Sequence, residues 1–166
     1  MTISPCRYEI EIDLSKAQKC ACIWGMKGRI LLICGLDPSF LTVDAVPASG
    51  FHWPYLLFVP KTVSRNRLLV STANTGFVSD NFEDHWEAAR CQAKRLSSMA
   101  EKLQCPLLLP VFPRPASREA LYTHALDRDC LVEGAGALHR LDLQVVAMID
   151  DARSQLAKNG VKIAAD

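Results

Sequence analysis

Neither sign of charge is in excess: 19 Lys and Arg stand against 18 Asp and Glu, for a formal net charge of +1. Such an even balance creates no field that would draw the chain to nucleic acid or to an anionic membrane. No run of Lys and Arg is interleaved with aromatics, and no nucleic-acid partner is expected. No apolar stretch reaches the length of a transmembrane helix, so no membrane span is expected either. Internal repeats and low-complexity tracts are also missing. The cysteines form no disulfide framework. Cys6, Cys20, Cys22, Cys34, Cys91, Cys105 and Cys130 are odd in number and irregular in spacing, with four before residue 35. That pattern is simplest in a reducing compartment such as the cytoplasm. A zinc site from Cys20, Cys22, Cys34 and His52 is a weak alternative, because C-x-C is not the usual knuckle spacing and no second pair follows. Small apolar thiols are the simpler reading. No metal and no cofactor is called for.

What is present suits a folded domain. The chain has 166 residues, 49% apolar and 22% charged, enough for one full hydrophobic core. Its first fifty residues carry weak signals. Tyr8 to Ile12 alternates apolar and charged residues, as a half-wet strand does. Met26-Lys27-Gly28-Arg29 followed by Ile30 to Leu36 has the shape of a short signal segment, with Ala45 and Ala48 near a cleavage point. On that reading translation starts at Met26 and the product is secreted or periplasmic. The competing reading makes Ile30 to Cys34 a buried strand and Asp37-Pro38 a turn, and it is preferred because Asp37 interrupts the apolar run early. Asp37 to Gly50 is a loop or linker by composition. Residues 1–50 thus form an N-terminal extension or strand/linker region, and the ordered domain is expected over 51–166.

The chain is organised around Pro54 to Val111. Tyr55-Leu56-Leu57-Phe58-Val59, bounded by Pro54 and Pro60, predicts a short buried strand. Arg67 to Thr72 predicts a second, followed by a turn at Asn74-Thr75-Gly76. Phe82, Trp86, Ala89, Ala93, Leu96, Ala100 and Leu103 then recur at alternating spacings of four and three, which places them on one stripe of a long helix. Asp80 with Glu83 predicts a capping box, and Pro106 a stop. Leu107-Leu108-Leu109-Pro110-Val111 has the continuous apolar character of a strand buried on both faces. Strand, helix and strand make a βαβ unit with a right-handed crossover, and the fold class expected is α/β, a mostly parallel sheet flanked by helices.

Phe112 to Gly136 is long for a connection, and long loops are often functional. Within it His124 and Asp127 stand three apart, a candidate acid–base pair; solvated ion pairing by Asp127, Arg128 and Asp129 is the plainer account. A second helix is predicted from about Ala137 to Lys158 with Asn159-Gly160 as its cap, and Val161-Lys162-Ile163 approaches a further strand. His85, beside Asp84 and Trp86, and His139 suggest surface or packing roles.

The phrases Pro54–Lys61, Leu68–Gly76, Ser79–Trp86, Tyr122–Asp129 and Leu141–Arg153, in this order, resemble the first half of the α/β-hydrolase fold. Within that superfamily they look like the esterase and polyester-depolymerase-like proteins. The resemblance covers about residues 51–166, so the fold implied is an incomplete α/β-hydrolase-like one. It implies hydrolysis of a small-molecule carboxylic ester through a serine acyl-enzyme. The loop after the third strand of that fold supplies an oxyanion-hole N–H, a role that falls on Asn74, Thr75 and Gly76. One such donor is worth about 3–4 kcal/mol of transition-state stabilisation. The alternative is that Gly76 merely lets the chain turn sharply before the helix. Asn-Thr-Gly stands where many lipases carry His-Gly-Gly. The nucleophilic serine of the family sits on a G-x-S-x-G elbow, and no such pentapeptide occurs in these 166 residues. The implied state is a chain cut short before its nucleophile and inactive alone. A non-enzymatic α/β module that binds an anion or a partner is the other reading. A half-sheet would leave an open edge, and self-association is then expected.

Overall fold

The computed structural model describes residues 40–72, 78–116, 131 and 134–164. The chain divides after Leu32, and Met1–Leu32 lies outside the described residues; the strands and helices below all belong to the second unit, Ile33–Asp166. The strands are β1 (Phe40–Val43), β2 (Tyr55–Phe58), β3 (Leu69–Val70) and β4 (Leu107–Pro110), and the two long helices are α1 (Phe82–Leu103) and α2 (Leu141–Lys158).

The four strands form one sheet in the order β1-β2-β4-β3. β3 and β4 are parallel neighbours joined through α1, the expected βαβ unit. β1 pairs antiparallel with β2, Phe40 opposite Phe58, and β2 pairs antiparallel with β4, Tyr55 opposite Pro110. The sheet is therefore mixed, which corrects the mostly parallel expectation. The reason is that a continuous apolar run reports burial on both faces and carries no information about direction. The second correction lies at residues 40–50, where composition suggests a loop. Phe40–Val43 is a strand and Pro47–Ser49 a 3-10 turn closed by Gly50 at φ 94°. The strand exists through its partner: the Phe40 ring packs 4.9 Å from that of Phe58.

Residue parity along β2 and β4 sorts the core onto two faces. Tyr55, Leu57 and Leu108 join Phe51, Phe112, Leu141, Val145, Met148, Ala152 and Leu156, the side covered by α2. Leu56 and Leu109 pack with Ala89 and Ala93, and Phe58 and Leu107 with Ala100, the side covered by α1. All four residues of both β2 and β4 are buried, as their sequences require.

α1 keeps its predicted span but rotates its buried stripe. Ala89, Ala93 and Ala100 are buried as expected, Leu103 is exposed, and His85 and Gln92 are inside. An apolar-only template misses polar residues that find polar partners under the helix. The cap differs too: Asn81, not Asp80, is the N-cap, and its side chain accepts from the Glu83 N–H. At the other end Gln104 adopts φ 53°, ψ 40° and sends its N–H to Glu101 O, while Cys105 N–H reaches Ala100 O, a Schellman closure without glycine. α2 begins at Leu141 rather than Ala137, because Gly136–Leu138 is a 3-10 turn and Arg140 stands at φ 47°. Its end is as predicted: Gly160 at φ 78° donates to Ala157 O and Val161 to Leu156 O, the paired Schellman bonds. Beyond it Val161 and Ile163 pack on the α2-side core, and Ala164 N–H donates to Asn66 O at 2.8 Å. No helix among the described residues is long and apolar enough to cross a membrane.

Buried Gln144 fastens the start of α2 to the sheet. Its Oε1 accepts the His52 N–H at 2.9 Å, and its Nε2 donates to Ala137 O and His139 O. Trp53 Nε1 donates to the same Ala137 carbonyl at 2.8 Å. His139 precedes the helix instead of lying on it, with Nδ1 3.2 Å from Gly134 O.

Candidate functional site

β3 and β4 point their carboxyl ends the same way, and α1 follows β3 after residues 71–81. Ligands of α/β sheets gather at such ends, where loops and helix N-termini meet. Ser71, just after β3, is tied to α1 by Gln92 Nε2 at 3.1 Å from its Oγ. The predicted oxyanion loop Asn74, Thr75 and Gly76 follows, and it falls in 73–77, outside the described residues. The candidate pair His124 and Asp127 falls in 117–130 and is likewise outside them, as are Cys20, Cys22 and Cys34 of the zinc alternative. His52 is exposed, and no His/Cys/Asp/Glu group among the described residues could hold a metal ion.

The described part of this end is the approach to α1 and the segment leaving β4. Ser79 Oγ donates to Asp84 Oδ2 at 2.6 Å, and Asn81 Nδ2 to Asp84 Oδ1. Asp84 N–H is taken by Asn81 O and Glu83 N–H by the Asn81 side chain. The first turn is thus capped from within, and Glu83 and Asp84 add the negative charge that its dipole favours. Asp80, expected in the cap, turns outward and accepts Ala116 N–H at 2.9 Å. Ser79 N–H donates to Arg114 O at 2.9 Å. His85, only 1% exposed, brings Nε2 to 2.8 Å from Ser79 O and 3.1 Å from Arg114 N.

Sequence reasoning missed this cluster. Its signal was the helical period: His85 stands four residues before Ala89 and seven before Gln92, on the buried stripe. Serine, aspartate and histidine close together suggest a catalytic relay, and the geometry says otherwise. The Ser79 hydroxyl donates straight to Asp84, while the imidazole meets the Ser79 carbonyl instead of its Oγ. A nucleophile must face its base, and here it does not. The cluster joins two segments, the approach to α1 and the stretch leaving β4.

Elsewhere two groups stand out electrostatically. The Tyr55 phenol is pushed far above the ordinary tyrosine range, first by burial and then by its 2.7 Å bond to Asp151 Oδ2 and that carboxylate's charge. At the start of α2, Arg140 donates twice to Asp142, at 2.9 and 2.7 Å, which lowers the carboxyl below its usual range. That pair is solvated, so it contributes little to stability. Compared with known proteins, the chain matches no protein-family model, no curated protein and no solved structure.

Proposed function

We propose that this chain is α/β-hydrolase-like and contributes the oxyanion-binding side of a serine esterase site. In the complete site a carboxylic ester would be cleaved through an acyl-enzyme. The observation that carries the reading is the run β3, residues 71–81, α1, β4, with β3 and β4 parallel and adjacent. In sequence Asn74, Thr75 and Gly76 fall between the third strand and the first long helix, and the corresponding connection supplies an oxyanion N–H in that superfamily, which supports the reading. The order β1-β2-β4-β3, with β2 opposed to both neighbours, suits the amino-terminal half of such a sheet.

The absence of G-x-S-x-G from these 166 residues divides the labour: donors here, nucleophile, acid and base elsewhere. A fluorophosphonate probe should therefore leave the 166-residue chain unlabelled, and labelling would overturn that division. The positive test extends the coding sequence past codon 166. The longer product should hydrolyse p-nitrophenyl acetate, and Thr75→Pro or Gly76→Pro should lower kcat by about 100-fold or more. Lack of an elbow and of turnover in that product would sink the esterase reading. A second reading, an interaction module without catalysis, is favoured by one observation: among the described residues β3 ends the sheet, with Val70 exposed and no further strand paired to it.

A further inference from the structure

The two long helices cover opposite faces of the sheet, and each carries a strip of exposed apolar side chains. On α2 Leu143 is 53% exposed and Val146 54%, on the side away from the buried Leu141, Val145 and Met148. Asp150 follows one turn later with its side chain 69% exposed. The turn before β2 widens this strip with exposed Val46, and it lies so near α2 that a Cβ on Gly50 would stand 3.3 Å from the Ala147 Cβ. Carboxylates border the strip: Asp44, Asp142 and Asp150, of which Arg140 engages Asp142 and Arg153 approaches Asp150 at 3.5 Å. On α1 the exposed apolar residues are Met99 and Leu103. Met99 stands two turns after Gln92, which reaches Ser71 beyond β3, so this flank of α1 looks toward the β3 side. Its exposed charges are basic, Arg95 and Lys102, while Glu101, the one carboxylate between Arg95 and Leu103, accepts the Lys61 N–H at 3.2 Å.

A basic apolar strip on one helix and an acidic apolar strip on the other are complementary, and the order of their groups matches. Along α1 the row is Arg95, Met99 and Leu103, at steps of four and four; backwards along α2 it is Asp150, Val146 and Leu143, at steps of four and three. The rows are about 12 Å and about 10 Å long. Laid antiparallel, they bring Arg95 to Asp150, Met99 to Val146 and Leu103 to Leu143, with Lys102 beside Asp142. Neither strip suits itself, because pairing two α1 strips or two α2 strips sets like charges along the contact. We infer that the α1 strip of one copy of this chain receives the α2 strip of another, head to tail. Each copy keeps one strip open, so the contact is heterologous and builds open chains or rings instead of a closed two-fold dimer. This inference stands whether or not the protein is an esterase, and it uses the helices, not the edge of the sheet.

The test is sedimentation of the full chain over a range of concentrations. The wild type should form species larger than a dimer as concentration rises, and added salt should weaken them by screening the rim charges. Leu143→Glu with Val146→Glu spoils the α2 strip, and Met99→Glu with Leu103→Glu the α1 strip. Each double variant alone should associate about tenfold or more weakly than the wild type. Mixed in equal amounts, the two should form a one-to-one dimer and nothing larger, because one good strip of each kind remains. Should a glutamate variant fail to fold, charge reversal decides: Arg95→Glu and Asp150→Arg should each weaken association, and the two combined in one chain should restore it. A wild type that stays monomeric up to about 1 mM would overturn the contact. So would a mixture that stays monomeric, a two-fold dimer abolished by the α2 variant alone, or association that survives both double variants and is lost with Val70→Pro.

Discussion

Tyr55 shows how a single residue can set a pH limit. Its ring is fully buried against Phe51, with centroids 5.9 Å apart, and its hydroxyl reaches outward to Asp151. Burial comes first and the neighbouring carboxylate second in holding the phenol protonated well above its ordinary range. An unfolded tyrosine ionises at about pH 10. Below that pH the phenol is protonated in both states, and its contribution to stability is whole. Above it the unfolded chain sheds the proton and the folded chain keeps it, so the folded state binds more protons and stability falls as pH rises. Urea denaturation at about pH 8 and about pH 10.5 should show this loss in the wild type. Tyr55→Phe should cost roughly 0.5–1.5 kcal/mol at the lower pH through its missing hydrogen bond, and should show a smaller alkaline loss. An alkaline slope unchanged in the variant would mean that Tyr55 titrates normally.

At the level of elements, α1 is fitted to the sheet by small residues. Ala93 and Ala100 are fully buried and Ala89 nearly so, directly over Leu56, Leu109, Phe58 and Leu107. An alanine stripe brings a helix backbone close to the strands, and a larger side chain must push it away. Ala93→Leu should therefore destabilise the protein by about 1–3 kcal/mol in urea denaturation, whereas Met99→Ala, on the exposed side, should stay within about 0.5 kcal/mol. Equal effects would mean that α1 does not seat on the sheet through Ala93. This helix also shows where the sequence is legible. The 4-3-4-3 spacing from Phe82 to Leu103 locates the element to within two residues at each end, and the apolar blocks locate β2 and β4. Strand direction was not legible, since Tyr55–Phe58 and Leu107–Pro110 look alike whichever way they run. Nor was β1, whose Phe-Leu-Thr-Val is a strand only beside β2. His85 and Gln92 were hidden because the stripe was read from apolar residues alone. The predicted site residues Asn74, Thr75, Gly76, His124 and Asp127 lie outside the described residues, so the first three rest on the resemblance that suggested them and the last two on their spacing.

For the molecule as a whole, the edge of the sheet is the exposed commitment. Leu69 and Ser71 direct their N–H groups inward, to Pro106 O at 2.8 Å and Leu108 O at 2.9 Å. A strand alternates its hydrogen-bonding sides, so Val70 N–H and C=O project from the far side of β3, where no described strand pairs with it. Val70 is also 37% exposed, and the one described rung near this edge is Ala164 N–H on Asn66 O. Hydrogen exchange on a dilute sample should therefore alternate along β3, with Leu69 and Ser71 protected and Val70 exchanging faster. Raising the protein concentration then separates two behaviours. If copies pair through this edge, Val70 alone gains protection as sedimentation shows larger species, and Val70→Pro abolishes both while leaving the β3–β4 bonds of Leu69 and Ser71 in place. Protection of Val70 equal to that of its neighbours at every concentration would mean that the edge is already covered within one chain, and the interaction-module reading would lose its one support.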